Sequence, residues 1–194
     1  FRRVLFRSDD RVGNPGSLTV TLGSQTGVAA EVLTQPGWDV ALVRLAAPMT
    51  INGATTGHVI GLWGGAPAEL VGKTVQCSGY GLSSYRAGFG VLRTAFLPVL
   101  SYENGIVTTG PSANGQIQWR GDSGSTCLVT ADNGERLMIG VQSFCWHNAR
   151  KESVSQCGLV SSSVFRDWLG QSRLSHELGT KGTGRCVDVS GGSK

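Results

Sequence analysis

Gln118-Trp119-Arg120-Gly121-Asp122-Ser123-Gly124-Ser125 is the stretch on which the reading of this chain turns. A serine hydroxyl is a weak nucleophile, so a reactive one needs a base beside it and donors aimed at the oxyanion its attack creates. Gly121 and Gly124 lack a Cβ, which lets the backbone take the positive φ values that point successive N–H groups into one small cup. Gly-Asp-Ser-Gly is also ordinary turn composition. The partners of Ser123 must therefore be sought outward along the chain.

The 194 residues are 40% hydrophobic and 15% charged, which excludes a disordered chain. Glycine reaches 29 residues and long helical patterns are missing, so many short strands joined by tight turns are expected, an all-β sandwich or pair of barrels. The formal charge of +4 is concentrated at one end. Arg2, Arg3 and Arg7 supply three of those charges, leaving 14 basic side chains against 13 acidic ones. With no basic stripe or RNA-binding motif, nucleic acid is not an expected partner. No apolar run approaches membrane-spanning length, so no membrane partner is expected either. Five cysteines with no Cys-x-x-Cys pair favour disulfides and an oxidising, extracellular compartment over a zinc site. No metal or other cofactor is implied.

Taken in order, Phe1 to Ser8 resembles translated sequencing-adapter sequence, and the domain proper is expected from residue 9. Ser17 to Leu22 alternates polar and apolar residues as a half-buried strand does, and Val28 to Thr34 forms another. Pro36-Gly37 turns the chain into Trp38-Asp39-Val40-Ala41-Leu42-Val43-Arg44-Leu45, an almost continuous apolar strand headed by one carboxylate. If Asp39 lies inside it must have hydrogen-bonding partners; otherwise it is a solvated strand-start residue. Residues 48–70 read as loop. Thr74 to Gly81 is a strand running into a glycine-flanked aromatic turn, and Val91 to Leu100 is a further strand. Cys127 to Val129 and Leu137 to Val141 make a hairpin around Asp132-Asn133-Gly134, with Ser143 at the end of its second strand. From Ser163 to Arg173, Val164, Phe165, Trp168 and Leu169 recur at helical spacing behind a serine-rich start that offers N-caps.

These pieces together, from about residue 17 to 173, resemble a trypsin-like serine endopeptidase of bacterial, actinobacterial-like type. The matching residues are Asp39 in its strand, Cys77 to Gly81, Gly121 to Gly124, Gly140 to Ser143 and the terminal Val-Phe-Arg-Asp-Trp-Leu helix. The resemblance implies a chymotrypsin-like double Greek-key β-barrel, the first barrel incomplete, with a short C-terminal helix. It implies Ser123 as nucleophile, the N–H groups of Gly121 and Ser123 as the oxyanion hole, and Asp39 as the carboxylate that orients a histidine. Ser143 would donate a hydrogen bond to Asp39. Asp122 would pair with an N-terminal amine freed by precursor cleavage. Ile117 and Gly158 would line the specificity pocket; Ile117 falls where trypsin carries the Asp that reads Lys or Arg, so an apolar or small residue is expected there instead.

Two further departures from the family accompany the match. Its order is His, Asp, Ser, yet none of the 38 residues before Asp39 is His. His58, His147 and His176 all follow it in other contexts and are read as surface or loop residues. A truncated N-terminus, with the histidine upstream of residue 1, is the expectation, and such a chain would be almost inert. Trp119 stands where the family usually has a cysteine. Cys77, Cys127, Cys145 and Cys157 allow three connectivities; Cys77 with Cys127 and Cys145 with Cys157 is the one expected.

Residues 9–173 would thus form the protease domain, 174–184 a linker, and 185–194, Arg-Cys-Val-Asp-Val-Ser-Gly-Gly-Ser-Lys, the start of a module resembling a ricin-type β-trefoil lectin, in which Cys186 finds its partner. The expected partners are a protein or peptide substrate and, through that module, a polysaccharide; the chain is expected to be a monomer. The rival reading is a non-catalytic homologue that kept the fold as a binding or scaffold protein.

Overall fold

The computed structural model describes residues 3–6, 14–50, 60–84, 87–147 and 154–179, with the main chain alone at 3–6, 147, 154–155 and 171–179. Among the described residues, two β-sheets and one α-helix account for the architecture. The smaller sheet has the order β1-β4-β3-β2. Its strands are β1 (Arg3–Phe6), β2 (Thr19–Leu22), β3 (Gln25–Thr34) and β4 (Ala41–Leu45). Gly23, at φ 60°, makes the tight turn between β2 and β3, where Leu22 pairs with Gln25.

Arg3–Phe6 runs antiparallel to β4, with Leu5 opposite Leu42. A Val-Leu-Phe run satisfies an open strand edge whatever its origin.

The larger sheet contains β5 (Gly61–Leu62), β6 (Thr74–Gly79), β7 (Arg93–Glu103), β8 (Ile106–Thr109), β9 (Thr126–Thr130), β10 (Arg136–His147) and β11 (Val154–Ser161). Six of these close on themselves in the order β6-β7-β8-β11-β10-β9, because β11 pairs with both β8 and β10 and β9 pairs with both β10 and β6. β9 returns beside β6 after the β6-β7-β8 meander, which is Greek-key order. The expected all-β, chymotrypsin-like architecture holds, with one closed barrel, a first unit that remains an open sheet among the described residues, and a C-terminal helix.

β8 and β11 went unread in the sequence. The β8 signal was present: Asn104 and Gly105 take φ 48° and 81° and form the two-residue hairpin turn between Glu103 and Ile106, which the dipeptide Asn-Gly favours. β10 runs six residues past Val141, so Ser143 lies within the strand rather than at its end, because β11 continues the pairing as far as His147. Residues 48–70 hold β5 and a 3-10 turn at Pro67–Leu70; 51–59 lie outside the described residues.

Helix α1 (Ser162–Gly179) starts where the Ser161 hydroxyl accepts from the Ser163 N–H at 3.3 Å, an N-cap contact. It continues six residues beyond Arg173 into the stretch read as linker. Residues 180–194, and with them the lectin-like stretch, lie outside the described residues.

Three clusters form the core. One fills the closed barrel around Leu70, Val75, Leu97, Val99, Val107, Val129, Ile139 and Leu159. A second lies under the open sheet around Val32, Val43 and Met49. The third joins them: Val40, at the head of β4, packs with Val141, Val160 and Phe165, flanked by Trp38, Ile106, Val164 and Trp168. This seam sets the position of Asp39, because Asp39 sits between two residues that the barrel and helix hold.

Candidate active site

Each chemically relevant residue is placed by its neighbours in sequence. Trp38 donates its N–H to the Gln35 carbonyl at 3.1 Å across Pro36-Gly37, with Gly37 at φ 79°, a tight turn that Pro then Gly supports. The ring of Trp38 reaches Gly105 and Val40 is fully buried, so Asp39 between them is held half-buried at the seam. Ser143 Oγ donates to Asp39 Oδ2 at 2.6 Å, across 104 residues of sequence.

The turn carrying Ser123 is anchored to the same strand. Gly124 donates to the Gln142 carbonyl at 2.8 Å and Gln142 donates back to the Ser125 carbonyl at 2.9 Å. The residue after Gln142 is Ser143 and the residue before Gly124 is Ser123. One reciprocal pair of main-chain hydrogen bonds therefore ties the turn that carries Ser123 to the strand whose Ser143 holds Asp39. Ser123 itself is exposed.

Inside the turn the N–H groups divide into two sets. Asp122 donates to the Trp119 carbonyl at 3.1 Å and Ser125 to the Asp122 carbonyl at 2.9 Å. Among the described residues, the N–H groups of Gly121 and Ser123 donate to no protein acceptor. Gly121 has φ 90°, a value costly for any residue with a Cβ, and an added Cβ would lie 2.9 Å from the Phe89 ring and 3.1 Å from Gly81 Cα.

Asp122 holds the turn from behind. Its Oδ1 accepts from the Gly81 N–H and its Oδ2 from the Trp119 N–H, both at 2.8 Å. Gly79 and Gly81 make room for the carboxylate: a Cβ on either would fall 2.1 or 2.6 Å from Asp122 Oδ1. In this structure the carboxylate serves main-chain donors. Behind it lies a cavity of about 540 Å³ bounded by Gly79, Gly81, Arg93, Ile117, Gln118 and Asp122 among others.

Ile117 and Gly158, the two residues expected at a specificity pocket, have different surroundings. Ile117 bounds the space behind Asp122. Gly158 lies directly opposite Phe144, and a Cβ there would be 2.8 Å from the Phe144 ring. Strand alternation turns its neighbour Cys157 to the other face, where Sγ lies 3.4 Å from the Gln118 carbonyl oxygen. Nothing in a linear sequence distinguishes these faces; the register of β10 on β11 does.

Both expected disulfides are present, Cys77–Cys127 between β6 and β9 and Cys145–Cys157 between β10 and β11. Each joins residues directly opposite one another in paired strands. His58 lies outside the described residues, and His147 and His176 are described by their main chain only. No helix among the described residues is long and apolar enough to cross a membrane.

The Trypsin family model matches residues 8–169 of the chain. No curated protein matches it.

Proposed function

The chain belongs to the trypsin family, whose members are serine peptidases acting on proteins or peptides, and from that premise we propose that Ser123 is the nucleophile of a secreted endopeptidase. The observation that carries this reading is the double anchorage of β10: Gln142 holds the turn of Ser123 while the next residue holds Asp39. In the proposed reaction Ser123 Oγ bonds to the scissile carbonyl carbon and its proton passes to an imidazole. The oxygen that becomes negative is met by the N–H groups of Gly121 and Ser123. The C–N bond then breaks, the imidazolium returns its proton to the leaving amine, and water releases the acyl group from Ser123 by the same steps. Asp39, braced by Ser143, orients the imidazole and stabilises its charged form. Asp122 keeps the cup in shape.

No histidine precedes Asp39, and the imidazole is proposed to come from sequence outside these 194 residues. That absence equally favours the rival, a homologue that binds without cleaving. A fluorophosphonate probe separates the two. The gene product extended upstream to include a histidine-bearing segment should label at Ser123, and Ser123→Ala should abolish labelling. The 194-residue chain alone should label at least about a thousandfold more slowly. An extended, folded product that stays unlabelled at Ser123 would establish the binding homologue.

A further inference from the structure

Resting on that reading of Ser123, we propose that the chain closes its own specificity pocket with the Cys145–Cys157 disulfide and accepts only a small side chain, glycine or alanine in size, on the residue whose carbonyl is attacked. Cys145 and Cys157 are opposite one another in β10 and β11, two and one residues from Ser143 and Gly158 respectively. Both sulfurs turn toward the segment that leads into the Ser123 turn: Sγ of Cys157 lies 3.4 Å and Sγ of Cys145 3.9 Å from the main-chain oxygen of Gln118. These are contact distances, so both sulfurs lie against the main chain of that segment at Gln118. Cys157 is fully buried and Gln118 is 5% exposed. Gln142, 1% exposed, seals the remaining side, its Nε2 3.1 Å from Cys145 Sγ and 3.2 Å from the Phe144 oxygen that accepts from it.

Gly158 does not reopen this space. The volume its missing side chain leaves is on the opposite face and is taken by the ring of Phe144. The cavity behind Asp122 does not reopen it either, since neither cysteine nor Gly158 bounds that cavity. A flexible side chain could swing aside for a larger substrate. A cystine bridging two paired strands cannot, because either sulfur moves only with its strand.

Binding of N-acetylated tetrapeptide acids ending in Gly, Ala, Leu or Phe to the isotope-labelled chain, followed through its amide resonances, tests this without requiring turnover. The Gly- and Ala-ended peptides should shift Gly121, Ser123 and Ser143, and the Leu- and Phe-ended ones should bind at least about tenfold more weakly. Equal or tighter binding of the larger residues at those resonances overturns the proposal. In the paired Cys145→Ala/Cys157→Ala variant the discrimination should fall by about the same factor. Unchanged discrimination in that variant, with an unchanged circular dichroism spectrum, also overturns it. Should the variant not fold, the unmodified chain decides. Failure of Ser123 to label in the extended protein, with size discrimination intact, would sink the peptidase reading and leave the closed pocket standing.

Discussion

Replacing Gly105 by alanine should destabilise the protein well beyond the same change at Gly134, and the difference measures how tightly the seam that carries Asp39 is packed. Both glycines sit at nearly the same left-handed backbone angle, φ 81° and 83°. An L-residue there costs about 1–2 kcal/mol from its own Cβ. At Gly134 nothing lies within 4 Å of the added carbon, so that backbone cost is the whole effect. At Gly105 the carbon would sit 2.3 Å from Trp38 Cη2 and 2.7 Å from Val164 Cγ2. Overpacking of this kind adds about 1–3 kcal/mol, for a total of about 2–5 kcal/mol. Neither neighbour can give way freely, because Trp38 and Val164 pack in the cluster around Val40 and Phe165, and the Gly105 carbonyl accepts the Ser161 N–H at 2.8 Å. Equilibrium urea unfolding of the two variants, analysed with a common slope, gives the comparison. The near-ultraviolet dichroism of Gly105→Ala should change as Trp38 moves, and that of Gly134→Ala should not. Costs equal to within about 0.5 kcal/mol would refute the packing of Trp38 on the hairpin, and with it the account of how Asp39 is placed.

Asp122→Ala removes the acceptor of two charge-assisted hydrogen bonds, from Gly81 and Trp119. It should cost about 2–4 kcal/mol, less than two fully buried bonds because the adjoining cavity admits water, and should speed amide exchange across residues 119–125. A loss below about 0.5 kcal/mol in urea unfolding would show that the carboxylate does not brace the turn. Removing the disulfides as alanine pairs should cost about 4 kcal/mol for Cys77–Cys127 and about 3 kcal/mol for Cys145–Cys157, from the 50 and 12 residues they span. The reverse ranking in the same measurement would rule out chain entropy as the main source of their stabilisation.

Most strands could be read from the sequence because a half-buried strand writes period two into its residues, as Ser17 to Leu22 does. Gly37, Gly121 and Gly134 could be read because only glycine takes those backbone angles cheaply. β11 was missed because its Gly158 to Ser161 segment is a short apolar run with no alternation, buried on both faces. The end of α1 was misplaced because Ser175 to Gly184 is rich in glycine and polar residues, and composition alone cannot tell the last turns of a helix from a linker.

What the sequence determined by itself is chemistry: a serine between glycines, a carboxylate heading an apolar strand, four cysteines able to pair, and no histidine ahead of Asp39. What only the tertiary structure decided is which of those groups meet and which way they face. Ser143 finds Asp39 because the seam around Val40 brings β4 to β10. Gly158 turns to Phe144, and the cystine to Gln118, because the register of two strands assigns alternate residues to opposite faces. Period two declares that a strand has two faces; the partner strand determines which one the site uses.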